Sequence, residues 1–251
     1  VTATGDLASP HRGEEGDEED RSPGRPWRRG RSGRRRGRPE APADRAHRCV
    51  VLACTPEDTT AVDLDSGAVV RLRIDWGERP GALAPFDVVD AAWAEEPEPD
   101  DLAQPEAVTV AGTPSSLGVL APRHARRLLR ALVLPAEHQL LGFPGSSAPY
   151  WEFRGMRPSV AVIVPSRGPL LLRRRQDDSV WARFGSGRSD NWLPLEDERA
   201  VLALHAARRD RLAGKDLAAA LGYRPSFLVV TLSRPRDGYF YKVVAALLPR
   251  P

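Results

Sequence analysis

Nine arginines and no acidic residue stand between positions 21 and 38, RSPGRPWRRGRSGRRRGR. Guanidinium groups at that density suit phosphate or carboxylate partners. Each presents a planar fork of N–H donors, and each phosphate neutralised releases counterions. Arg28, Arg29, Arg34, Arg35, Arg36 and Arg38 are therefore the expected polyanion-binding residues. A second set, Asp177, Asp178 and Glu196, has the hard oxygen ligands that a divalent cation requires, and would serve a hydrolase centred on residues 160–200. Gly185-Ser186-Gly187-Arg188 offers amides and a guanidinium to an anion, and reads equally well as a connector. The histidines at 11, 47, 124, 138 and 205 lack metal-ligand spacing. No Walker-type loop or Gly-x-Gly-x-x-Gly occurs, and no cofactor is expected.

Three short stretches resemble known families. Arg36-Gly37-Arg38-Pro39 reproduces the Arg-Gly-Arg-Pro core of the AT-hook, and Gly24-Arg25-Pro26 is a partial second copy. The resemblance implies guanidinium groups laid in a narrow minor groove. Leu217–Gly222 is similar to the middle of a helix-turn-helix, which would make 223–234 a recognition helix. Phe227–Thr231 opposes that reading, because an aromatic and β-branched run favours a hairpin strand. Residues 160–187 resemble the opening of a Nudix domain, which implies glutamates on the helix that follows; here Ala206–Leu212 carries arginines instead.

The elements that must position these residues follow from pattern. Residues 1–47 have almost no aliphatic content and are expected to be a disordered charged tail. Order begins at Arg48. Strands are expected at 48–54, 59–64, 68–76 and 86–93 as a meander or small barrel, with 106–112 returning to the same sheet. A helix begins at Pro122 and runs to about 133, apolar at Ala125, Leu128, Leu129 and Leu132 and covered elsewhere by arginines. A second meander is expected over 158–164, 169–175 and 179–184, then a flexible loop at 185–192 and helices at 196–213 and 215–221. A hairpin closes the chain. Trp151 and Phe153 are expected to face inward. The fold class expected is α+β: two small antiparallel β-meanders with two or three packed helices, divided into a tail (1–47), a β-rich subdomain (48–112) and an α+β subdomain (113–251).

Composition bounds the function. With 41% hydrophobic residues the chain can build a core, and 24 prolines exclude a long coiled coil. No run of about 18 apolar residues exists, so no membrane partner is expected. Cys49 and Cys54, five apart on one strand, point to opposite faces and should be free thiols, which suits the cytoplasm. Residues 57–106 carry 14 acids against 3 arginines, and residues 107–175 carry 10 arginines against 2 acids, so the two stretches are expected to neutralise each other. The expected function is that of a non-catalytic cytoplasmic adaptor or regulatory protein contacting nucleic acid or an acidic protein through residues 21–38. The alternatives are the cation-dependent hydrolase and a structural subunit of a larger assembly.

Overall fold

In the computed structural model, which describes residues 46–76, 83–94, 103–153 and 157–251, the longest apolar runs become strands covered on both faces. All of these residues belong to the compact unit Ala41–Pro251; the unit Val1–Glu40 lies outside them. The α+β expectation is corrected: the described residues form fourteen strands in three sheets with only three α-helices, a mostly β protein.

The first sheet contains β1 (Ala46–Cys54), β2 (Thr59–Asp63), β3 (Val69–Arg73), β4 (Asp87–Ala92), β5 (Ala107–Thr109) and β6 (Ser115–Val119), in the order β5-β3-β2-β1-β4-β6. It is not a simple meander, because β4 pairs with β1 and not with β3. Beyond β4, Trp93 bridges Val110, and Ala94 N–H donates to Thr109 O at 2.9 Å. The sheet thus curls until the end of β4 meets the end of β5, enclosing Cys49, Val51, Ala61, Leu72 and Val89. Burial, reinforced by Asp63, pushes the Cys49 thiol up to about 12, and burial pushes Cys54 up to about 11. Both cysteines are free.

After α1 (Pro122–Leu132), the chain forms β7 (Ser147–Pro149), β8 (Val160–Ile163), β9 (Arg167–Arg173), β10 (Val180–Ser186), β11 (Ser189–Pro194), α2 (Glu198–Ala206), β12 (Arg211–Ala213), α3 (Gly214–Leu221), β13 (Pro225–Leu232) and β14 (Tyr239–Pro249). The expected second meander is split between two sheets: β8 joins β7-β14-β13-β8, while β9 and β10 join β11-β10-β9-β12. The reason is burial. All four residues of β8 are buried, with Val160 and Val162 facing one apolar cluster and Ala161 and Ile163 another. β13 divides in the same way, Phe227 and Val229 against Leu228 and Val230. This middle sheet is sandwiched, so its strands read as unbroken apolar runs. Within 223–234, residues 225–232 are accordingly strand and not a recognition helix.

Three local expectations also change. Residues 185–192 are the tip and second strand of the β10–β11 hairpin. The helix expected at 196–213 is nine residues long: Asp197 caps it, Arg208 leaves the helical region at φ 50, and residues 211–213 pair with β9. Trp151 sits in a short 3-10 turn and is 53% exposed, whereas Phe153 is buried. No helix among the described residues is long and apolar enough to cross a membrane.

A polar clamp joins the first sheet to the middle one. Arg71, 1% exposed on its side chain, pairs through Nη2 with the equally buried Asp58 and donates from Nη1 to Leu232 O at 2.7 Å. Gln104 donates to Leu232 O and Ser233 O, and Glu106 accepts from the Ser159 amide and hydroxyl. Removing one partner of a buried pair leaves an uncompensated charge, so Asp58→Ala should cost about 3–5 kcal/mol in urea unfolding, and the double variant R71M/D58L much less. A decrease below about 1 kcal/mol for Asp58→Ala would contradict this account.

Candidate polyanion-binding face

The α1 helix starts from Pro122, whose fixed φ suits a first turn, and its arginines, leucines and alanines are good helix formers. It ends at Val133, which is extended, just before the Leu134-Pro135 pair. Ala125 and Leu129 are buried, and Leu129 joins the cluster between the first and middle sheets with Leu128 and Leu132 packed against it. That anchoring fixes the rotation of the helix. At about 100° per residue, Arg123, Arg126, Arg127 and Arg130 fall within one arc of about 100° on the far side. They span about 10 Å along the axis.

Arg126 Nε donates to Pro251 O at 2.8 Å. Arg123, Arg127 and Arg130 are exposed and make no ion pair among the described residues. The helix itself has no acidic residue. The expected neutralisation of 107–175 by 57–106 does not reach this surface: among the described residues Asp58 is held by Arg71, Glu57 by Arg236 (2.6 Å), Glu106 by Ser159, and Asp63 by Ser66 with His47 at 3.6 Å. A free guanidinium row on a rigid support can grip successive anionic groups.

Of the residues singled out in the sequence, Arg28, Arg29, Arg34, Arg35, Arg36 and Arg38 lie outside the described residues. Asp177, Asp178 and Glu196 are each engaged separately. Asp177 accepts from the Ser179 amide and hydroxyl and faces Arg174 at 3.7 Å; Asp178 pairs with Arg173; Glu196 faces Arg236 at 3.7 Å. No group of three or more His, Cys, Asp or Glu suited to a metal occurs among the described residues. Of the Gly185–Arg188 segment, Gly185 and Ser186 end β10 and Gly187 and Arg188 form the turn to β11. His124 is exposed on α1, and His47 stacks on Trp93 with ring centres 3.6 Å apart. The α1 arginines read in sequence as cover for an apolar stripe; the feature that sets them apart there is the absence of any acid between residues 107 and 136.

Glu196 is a carboxyl far from its ordinary behaviour. Burial and the nearby Glu57 push it up to about 7, against the pull of Arg236. Comparison with family models, with curated proteins and with solved structures found no match, so the short likenesses at 36–39, 160–187 and 217–222 carry no family assignment.

The Glu196 shift has a definite sign. The folded chain holds this proton more tightly than the unfolded one, so its contribution is fully present below the ordinary value of 4.5 and disappears as pH rises to about 7. Thermal melts of the natural chain and E196Q should therefore diverge across that window, the natural chain falling in Tm relative to the variant. Parallel curves would contradict the shift.

Proposed function

We propose that this protein is a non-catalytic adaptor or regulatory protein that grips the phosphate backbone of nucleic acid, with α1 and the arginine tract at 21–38 as its basic surfaces. The observation that carries the reading is the α1 row: arginines on one face of an anchored helix, with Arg123, Arg127 and Arg130 left without a carboxylate among the described residues. The tract adds nine arginines and an Arg-Gly-Arg-Pro core, chemistry suited to minor-groove contact. Two free thiols, one buried and one half-buried, suit a reducing cytoplasm, which is the compartment proposed.

Phosphate contacts position a protein and release counterions, so they are read from salt dependence. Binding of a labelled duplex, AT-rich or mixed, should weaken in R123Q/R127Q/R130Q, and the slope of log K against log salt should fall by about 0.9 for each phosphate no longer neutralised. R34Q/R35Q/R36Q/R38Q should weaken binding further and remove any preference for AT-rich sequence. Affinity and slope unchanged in both variants would overturn the proposal. Stronger binding to a polyglutamate peptide than to either duplex would make the partner an acidic protein instead.

A further inference from the structure

Only two lysines occur in this arginine-rich chain, Lys215 and Lys242. Lys215 is exposed on α3. Lys242 lies on β14, 2% exposed, on a strand whose other buried positions are all apolar. Its Nζ donates to Phe143 O at 2.6 Å and sits 3.9 Å from the centre of the Phe143 ring. No carboxylate pairs with it among the described residues. A buried ammonium with one carbonyl and one ring for company is under-compensated. Burial lowers its pKa to about 8, which leaves it charged at neutral pH.

Lys242 and Phe143 both line a cavity of about 980 Å3. One wall is the chain from Ala136 to Ser146 and the other is the tip and second strand of the β10–β11 hairpin. The walls come close together at Gly187. This residue has φ 56, and a Cβ there would meet Ala136 O at 2.2 Å, so a larger residue would prise the cavity open. None of the other titratable groups on the lining forms an ion pair with Lys242 among the described residues. Asp190 is held by both Nε and Nη2 of Arg183, at 2.9 and 2.6 Å. Glu137, His138 and Arg188 are exposed, and Arg188 makes no ion pair among the described residues. Trp192, 47% exposed, contributes an aromatic surface. The cavity therefore combines a fixed buried cation, an exposed cation and an exposed carboxylate at Arg188 and Glu137, and a flat apolar wall, in a volume suited to a small organic molecule.

We propose that this cavity binds a small organic anion, its charged group paired with Lys242 and its body resting on Trp192. The anion supplies the countercharge that the fold withholds from Lys242. A carboxylate and a phosphate monoester share the required chemistry, and the test separates them. The site is distinct from α1, and its success or failure is independent of nucleic-acid binding.

Competitive labelling of the full natural chain with trace acetic anhydride, read by peptide mass spectrometry, follows Lys242 with Lys215 as internal reference. Phenyl phosphate, benzoate or both should slow acylation of Lys242 about fivefold at concentrations several times Kd, leaving Lys215 unchanged; benzyl alcohol should not. The same anions should raise the Tm of the natural chain but not that of K242M. Protection by phenyl phosphate alone or by benzoate alone identifies the head group. Lack of protection by either anion, equal protection by benzyl alcohol, or a Lys242 that resists acylation throughout would overturn the proposal.

Discussion

A guanidinium removed from water between two sheets sets the terms for the rest of this molecule. Arg71 projects from β3 into the contact between the first sheet and the middle sheet, where its charge must be met or the contact fails. Asp58 meets the charge, the Leu232 carbonyl takes a second N–H, and Gln104 and Glu106 tie neighbouring groups of the middle sheet to the same place. The apolar residues beside it, among them Leu52, Val62, Val160 and Val229, supply area but tolerate small slides. Hydrogen bonds tolerate much less, so the clamp selects one relative placement of the two sheets.

That placement decides which surfaces remain for binding. Once the middle sheet is covered on both faces, α1 can bury only Ala125 and Leu129 along one edge of the cluster, and its arginines have nowhere to go but outward. β14 passes through the same sheet and brings Lys242 to the back of the hairpin cavity. One sandwiched layer thus presents an exposed cationic row and a concealed cation.

The two basic residue types are used according to their chemistry. Arginine forms the paired contacts of the surface, as in Arg183 with Asp190 and Arg175 with Asp210, because its fork matches two carboxylate lone pairs. The ammonium of Lys242 is compact and fits beneath an aromatic ring, where a guanidinium would need more partners than Phe143 offers. The scarcity of lysine was visible in the sequence, but the burial of one of the two was not.

What could be read without coordinates was whatever short-range chemistry determines. Pro122 and the spacing of Ala125 and Leu129 announced α1, Gly222 in the left-handed region ended α3, and the turn at 235–238 joined the two terminal strands. The free thiols were legible, but their sides were not: period two alone puts Cys49 and Cys54 on opposite faces, whereas an irregularity of β1 between Val51 and Ala53 turns both toward the same cluster. What needed the tertiary structure was every pairing between distant segments. The adjacency of 160–163 and 167–173 suggested a meander, yet β8 pairs with β13 and β9 with β10 and β12. The helix after Glu196 stops early because residues 211–213 are needed by β9. Arg71 and Lys242 look like polar positions on ordinary strands until layers from elsewhere in the chain close over them. Local sequence determines the shape of a segment, but burial on both faces depends on which distant segment covers it, and here that cover sets the charge environment of Arg71, Glu196 and Lys242.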